Sequence, residues 1–192
     1  MGMKQTLDVI NRMEADGVIR RYAIAGAVAA YNYIEPTVTA DIDLLISFES
    51  KLDRPQAALI TLQPIFSYLK ERGYDEFHAE GIAIEGWPVQ FLPISDDLDA
   101  EALVQSIETE IQMPGAGGSV RTRLLRPEHV VAIALRTGRP KDFIRITQFI
   151  ESKAVDLTLL HSVLQRHKIH ELWTSFCRRT GTPDPLLPQA GS

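Results

Sequence analysis

The sequence predicts an α/β (α+β) fold in which a small mixed sheet is flanked by helices and followed by a helical C-terminal region. Three observations support this prediction. Helical and strand-like apolar spacings alternate between residues 3 and 93. Four helical patterns then follow one another between residues 127 and 178. The Gly-x-Gly-x-x-Gly sequence of a dinucleotide-binding fold is absent.

Helical and strand patterns alternate in the first third of the chain. The strand before Gly26 is short and apolar, and Glu35-Pro36 ends the helical pattern that follows it. Pro55 suits the first turn of a later helix and Gly73 suits its end. The predicted elements, in order, are a helix over 3–16, a strand over 22–25, a helix over 27–33, a strand over 41–48 and a helix over 54–72.

The rest of the chain continues with a hairpin and then becomes mainly helical. Glu85-Gly86-Trp87 has the composition of a hairpin turn between two short apolar strands. Four helix breakers fall close together in residues 113–118 and predict a linker or loop. The predicted elements are strands over 81–85 and 88–93, a helix over 98–107, a strand over 120–125, and helices over 127–137, 141–152, 156–167 and 169–178. We therefore expect a core over 1–113 and a mainly helical region packed on it over 119–192.

Composition and charge exclude several classes of protein. The 192 residues are 45% hydrophobic and 23% charged, which is typical of one compact domain or a core with a modest appendage. A net charge of −5 disfavours broad, non-specific nucleic-acid binding, although a local basic patch stays open. That patch would contain Arg121, Arg123, Arg126, Arg136, Arg139, Lys141 and Arg145.

Cysteine content and hydropathy indicate where the protein works. Cys177 is the only cysteine, so neither an intramolecular disulfide nor a thiolate zinc cluster is available. No apolar run approaches the roughly 20 residues that a membrane-spanning helix needs. We expect a cytoplasmic protein that makes no membrane contact.

Asp41 and Asp43 are the strongest candidates for chemistry. They stand two residues apart on a predicted strand, so their carboxylates leave the same face while Ile42 and Leu44 point into the core. Mg²⁺ prefers a pair of carboxylates supplemented by water and substrate phosphates. The alternative is a strand edge that carries two solvated acids.

Gly26 stands where a predicted strand turns directly into a helix. The first N–H groups of a helix are available to an anion, and a glycine lets a phosphate approach where a Cβ would clash. The alternative is that Gly26 only permits close packing of the strand and the helix. Together, the glycine and the aspartate pair form a more specific pattern than either alone.

These segments resemble the polymerase-β-type nucleotidyltransferase superfamily, and most of all its minimal, AbiEii-like bacterial branch. The resemblance is carried by Ala25-Gly26-Ala27 with its short helix, and by Glu35-Pro36-Thr37-Val38-Thr39 before Ala40-Asp41-Ile42-Asp43-Leu44-Leu45-Ile46. Arg136-Thr137-Gly138-Arg139-Pro140-Lys141-Asp142 is similar to the Lys-x₄-Lys-Asp segment of that branch. The similarity extends from about residue 10 to 150 and is weak in the middle.

The resemblance implies a nucleotidyltransferase-like fold and the transfer of a nucleoside monophosphate from an NTP to a hydroxyl, with Mg²⁺ or Mn²⁺ as cofactor. Asp41 and Asp43 would bind the metal ions, and the acceptor would be RNA, a protein or a small molecule. By the same resemblance, Asp142 would orient basic groups or their helix. The residues implied at the nucleotide or acceptor are Gly26, Ala27, Thr39, Arg136, Lys141 and Asp142.

The chain departs from the family pattern at the third acid. The position that corresponds to it falls in residues 88–92 and holds Gln90, a neutral and weaker ligand that cannot act as a general base. Ala27 also stands where a serine often contacts the phosphates. These changes favour an alternative in which the protein binds nucleotide or a partner protein without catalysis. A toxin–antitoxin component with a cognate antitoxin is a further possibility, which neighbouring genes would test.

Overall fold

The computed structural model describes residues 2–36, 39, 41–48, 62–78, 81–112 and 118–186. Its helices are α1 (Met3–Ala15), α2 (Gly26–Ala30), α3 (Gln63–Lys70), α4 (Asp97–Val104), α5 (Pro127–Thr137), α6 (Pro140–Glu151), α7 (Leu157–Arg166) and α8 (His170–Thr180). Its strands are β1 (Arg21–Ile24), β2 (Ile42–Ser47), β3 (Phe77–His78), β4 (Gly81–Ile84), β5 (Trp87–Pro93), β6 (Ile107–Gln112) and β7 (Ser119–Leu124).

The seven described strands form one mixed sheet in the order β3-β4-β5-β2-β1-β7-β6. Strand β2 pairs in parallel with β5, and β1 pairs in parallel with β7. The other neighbours are antiparallel. The predicted α/β (α+β) class, a mixed sheet flanked by helices, is confirmed.

The chain divides into two compact units. The first comprises Met1–Val28 and Thr37–Leu125 and contains the whole sheet. The second comprises Ala29–Pro36 and Arg126–Ser192 and contains α5 to α8. The expected division at residues 113–119 differs from this one, because β7 pairs with β1 and β6 and so belongs to the sheet of the first unit.

Most predicted elements occur within one or two residues of their expected bounds, but two strands were not predicted. Strand β3 has only two residues, and β6 begins at the last residue of the predicted helix over 98–107 and continues through residues for which no element was predicted. The residues of β6 are largely exposed, and its short alternation of Ile107, Thr109 and Ile111 with acidic or amide residues was not recognised as a strand. The parts of the predicted helix at 54–61 and of the predicted loop at 113–117 lie outside the described residues.

The hairpin between β4 and β5 has the two-residue loop that its composition favours. Glu85 and Gly86 have φ angles of 51° and 88°. Positive φ at both central positions is the conformation that matches the twist of the flanking strands. The predicted turn is confirmed, with Trp87 belonging to β5 rather than to the loop.

Each unit has its own apolar core. In the first, α1 packs against β7 while α4 packs against β1 and β2. In the second, α5 packs against α6, α7 and α8, and the largest fully buried side chains there are Trp173, Phe149 and Phe176. Burial raises the pKa of the Cys177 thiol to about 11, which favours a structural role for this cysteine. None of the helices in the described ranges has the length and apolar character of a membrane span.

Candidate functional site

The acid pair lies at the start of the central strand β2. Asp43 is its second residue and Asp41 directly precedes it. Ile42 and Leu44 are fully buried, whereas both aspartates are partly exposed. The apolar side chains therefore anchor the strand, and the alternating geometry leaves the two carboxylates together on the other face.

Gln90 lies beside Asp43 in the sheet. Strands β2 and β5 are parallel, and Asp43 is the register partner of Gln90. Partners in adjacent strands send their side chains to the same face of a sheet. The structure thus brings the residue at the expected third-acid position next to the aspartate pair. A carboxamide stands there in place of a carboxylate.

Gly26 packs against the Asp43 side chain. It has a φ of +57°, and a Cβ added to it would lie 1.9 Å from Oδ2 of Asp43. The backbone is joined at the same place, because the Ala25 N–H donates to the Asp43 carbonyl oxygen at 2.8 Å. Ala27 follows as a buried residue. A glycine is required at position 26 because the Asp43 carboxylate of the same chain, rather than a bound phosphate, occupies the space that a Cβ would fill.

Thr39 holds the other carboxylate of the pair. Its hydroxyl oxygen lies 3.1 Å from Oδ1 of Asp41 and 3.3 Å from the Asp41 carbonyl oxygen, and it donates to them. This contact orders the Asp41 side chain just before β2 begins. Thr39 therefore lies at the candidate site, as a support for the first aspartate.

The donor set fits one Mg²⁺ ion rather than a site built on three acids. Within the described ranges, no group of three or more His, Cys, Asp or Glu side chains could hold a metal ion. The two neighbouring carboxylates remain, and Mg²⁺ is commonly bound by one or two carboxylates with water and phosphate oxygens completing its shell. Gln90 can add a neutral amide oxygen.

The basic segment belongs to the second unit. Arg136 lies half-buried in the last turn of α5, and Lys141 is exposed in the first turn of α6. Asp142 is fully buried and accepts a hydrogen bond from Nε of Arg139 at 2.8 Å and from an NH group of Arg145 at 3.3 Å. It also accepts from the Arg139 backbone N–H, which completes a capping box at the start of α6.

Asp142→Asn should lower the free energy of unfolding by about 3 kcal/mol, because it leaves the partly buried Arg145 without its carboxylate and weakens the α6 cap. Urea unfolding followed by circular dichroism measures this change. Glu151→Gln, at an exposed position near the end of the same helix, is the control and should change stability by less than about 0.5 kcal/mol. Equal stability of the two variants would show that Asp142 has no structural role.

A cavity of about 480 Å³ lies beside β3, β4 and β5 in the first unit. We call it the hairpin cavity. It was not predicted, because its lining comes from turns and strand ends that carry no recognisable motif. The nearest signal in the sequence is the density of acids and aromatic residues around the predicted hairpin. Its described lining residues are Gly73, Tyr74, Asp75, Glu76, His78, Ala83, Glu85, Gly86 and Pro88.

No family model and no curated protein matches the chain. A solved structure, an antigenic nucleotidyltransferase-like protein from Paracoccidioides brasiliensis, is similar to it with a TM-score of 0.49 and 16% sequence identity. The similarity covers 90% of this chain and 91% of that one.

Proposed function

We propose that this chain is a nucleotidyltransferase that moves a nucleoside monophosphate from an NTP to a hydroxyl acceptor, with Mg²⁺ held by Asp41 and Asp43. The observation that carries the proposal is the register pair Asp43–Gln90 with Asp41 on the same face. It supports the proposal because a residue of a later strand lies beside the aspartate pair; the family pattern has a third acid on such a strand, and this chain has Gln90.

Each residue of the site has a defined task in this proposal. Asp41, ordered by Thr39, and Asp43, packed on Gly26, would hold the metal ion with their two carboxylates. Gln90 donates or accepts a hydrogen bond at the adjacent position but carries no charge. When bound, Mg²⁺ neutralises the phosphate oxygens as the pyrophosphate leaves. The site thus supplies orientation and charge neutralisation, and no carboxylate in it is left to act as a general base.

A binding module without catalysis is the second candidate, and Gln90 is the observation that favours it. Nucleotide binding requires only the acid pair and a metal ion, whereas deprotonation of an acceptor hydroxyl is assisted by a base. A glutamine beside Asp43 preserves the first property and removes a source of the second. The two candidates predict the same nucleotide complex and differ in pyrophosphate release.

The experiment that tests the proposal combines titration and turnover. Each of the four NTPs is titrated calorimetrically into the protein with Mg²⁺ and with EDTA, and pyrophosphate is then measured with mixed RNA, protein and small-molecule acceptors. Binding that needs Mg²⁺, together with pyrophosphate release, supports the transferase. Binding without release supports the binding module, and no binding of any NTP contradicts both.

Gln90→Glu should strengthen Mg²⁺ binding about tenfold, because a third carboxylate joins the pair on the same face. If the protein is a transferase, the same change should raise the rate of pyrophosphate release. Gln112→Glu adds the same charge at an exposed position at the end of β6 and should leave both quantities unchanged. Equal metal affinities in wild type and Gln90→Glu would show that Gln90 does not face the metal.

A further inference from the structure

Two buried polar atoms lie side by side at the end of β2 that is remote from the acid pair. Arg21 begins β1 and Ser47 ends β2, and the two residues are register partners in this antiparallel pair of strands. Register partners send their side chains to the same face of a sheet. Asp43 shares that face but stands four residues away along β2, roughly 13 Å of extended chain. The pair Arg21–Ser47 is therefore separate from the proposed metal site.

The Ser47 hydroxyl is buried without a protein partner. The residue is only 5% exposed, and its Oγ atom makes no hydrogen bond to any part of the chain that the structure describes. A buried hydroxyl that lacks a hydrogen bond destabilises the folded state, so each such group in a protein requires an explanation. An alanine would fill nearly the same space without this cost. Protein contacts therefore give no reason for a hydroxyl at this position.

The guanidinium group of Arg21 is only partly used. Its Nε atom is buried and makes no hydrogen bond within the described ranges. Its Nη2 atom lies 3.5 Å from the Ser106 hydroxyl oxygen, at the outer limit of a hydrogen bond. Among the described residues, no carboxylate forms an ion pair with Arg21. A guanidinium has five N–H donors and a permanent charge, so a half-buried Arg21 can still bind an anion.

Ordered water is the simpler explanation for one of these groups. A buried hydroxyl such as that of Ser47 commonly bonds a water molecule. Water supplies no negative charge, however, and the edge of the Arg21 guanidinium that carries Nε is withdrawn from bulk solvent. A single anion between the two side chains would satisfy both of them and would also balance the charge.

We propose that Arg21 and Ser47 form a binding site for a tetrahedral oxyanion of the phosphate class. An arginine binds two oxygens of an oxyanion through two parallel N–H bonds. The Ser47 hydroxyl, on the same face of the adjacent strand, then donates to a third oxygen. A carboxylate has only two oxygens, whereas a phosphate group has enough for all three donors. The site does not depend on nucleotidyl transfer, because it uses neither the acid pair nor a metal ion.

The test is calorimetric titration of inorganic phosphate into the full chain, in a phosphate-free buffer with EDTA and at constant ionic strength. EDTA keeps metal ions away from the acid pair, so any binding reports on another site. Acetate is titrated under the same conditions. We expect phosphate to bind at least about fivefold more tightly than acetate, since acetate leaves one donor unused. Equal affinities overturn the inference. So does an absence of phosphate binding, which means that water alone satisfies Ser47.

Three variants assign the binding to the proposed residues. Arg21→Met removes the charged fork and should weaken phosphate binding at least about tenfold. Ser47→Ala removes the third donor and should weaken it about fivefold, and it keeps the inference testable if Arg21→Met does not fold. Arg20→Met removes the same charge from the neighbouring, exposed position and should change the affinity by less than about twofold. Equal losses in Arg21→Met and Arg20→Met mean that only net charge matters, which overturns the inference.

The stability of Ser47→Ala distinguishes a ligand site from a structural role. Because Oγ has no protein partner in the described ranges, the substitution should not lower the urea midpoint when phosphate is absent. Saturating phosphate should raise the midpoint of wild type and of Arg20→Met more than that of Ser47→Ala, since a ligand stabilises the state that binds it. If Ser47→Ala is less stable than wild type by the same amount with and without phosphate, the hydroxyl is structural and the inference fails.

Glycerol 3-phosphate distinguishes two sources of the phosphate group. Affinity equal to or greater than that of inorganic phosphate identifies a phosphorylated compound as the ligand, and lower affinity identifies inorganic phosphate. Either result supports the site. Asp43→Asn should leave phosphate affinity in EDTA within about twofold of wild type, because Asp43 stands at the other end of β2. A larger loss in Asp43→Asn would place the phosphate at the acid pair and overturn the inference, whatever the outcome of the NTP titrations.

Discussion

Asp43→Asn is expected to weaken Mg²⁺-dependent nucleotide binding about 100-fold, the largest functional effect of any substitution considered. The site offers two carboxylates and a neutral amide, so removing one charge takes away half of the anionic ligands. Asparagine has nearly the same shape, and it preserves the packing against Gly26. Calorimetric titration of NTP in the presence of Mg²⁺ measures the loss directly.

Asp41→Asn should behave in the same way, because the amide oxygen of the new residue can still accept from Thr39 while the charge is lost. The control is Asp8→Asn, which removes an exposed carboxylate of α1 that pairs with Lys4. It should leave nucleotide affinity unchanged. Both site variants should keep the circular dichroism spectrum of wild type. Nucleotide affinity that is equal in Asp43→Asn, Asp41→Asn and Asp8→Asn would contradict the site.

The acid pair was predictable because its signal is local. The alternation of Ile42 and Leu44 with the aspartates marks both the strand and the two faces within four residues. The register of β5 against β2 is a non-local property, and only the structure places Gln90 opposite Asp43. The sequence predicted which segment holds the third position, and the sheet shows what it lies beside.

Strand β6 was not predicted, in contrast to the strand that carries the acid pair. Its cross-strand pairs with β7 join Glu108 to Arg123 and Glu110 to Arg121, so the strand contributes charge pairs where a buried strand would contribute apolar contacts. The strand does carry a period-2 pattern, because Ile107, Thr109 and Ile111 alternate with acidic or amide residues, but the predicted helix over 98–107 covered its start and no element was predicted over 108–112. The expected boundary at residues 113–119 followed from the helix breakers in that segment, whereas β7, which comes after them, pairs into the same sheet as β6.

The role of Gly26 could not be settled from the sequence, because two explanations require the same residue. A phosphate and a neighbouring side chain both need the absence of a Cβ. The structure shows the carboxylate of Asp43 in that space. Gly26 therefore also positions an acid of the pair, and its substitution should affect folding as well as nucleotide binding.

Gly26→Ala should lower the free energy of unfolding by about 3 kcal/mol, the largest expected effect on stability at the site. Two costs add up. An alanine at a φ of +57° costs about 1 kcal/mol, and a Cβ at 1.9 Å from Oδ2 of Asp43 forces the carboxylate to move, at a cost of about 2 kcal/mol. The displaced carboxylate should also weaken nucleotide binding. Urea unfolding and NTP titration measure the two effects.

Gly17→Ala separates the two costs. Gly17 has a φ of +75°, and a Cβ added there would meet nothing within 4 Å, so this substitution carries the backbone cost alone, about 1 kcal/mol.

A double-mutant cycle gives the second comparison. In an Asp43→Ala background the carboxylate is gone and only the Cβ remains, at 3.2 Å. In that background, Gly26→Ala should lower the free energy of unfolding by about 1 kcal/mol, close to the effect of Gly17→Ala. The coupling energy between positions 26 and 43 should then be about 2 kcal/mol. A coupling energy near zero would mean that Asp43 does not occupy the space above Gly26, and the phosphate explanation for the glycine would then be the better one.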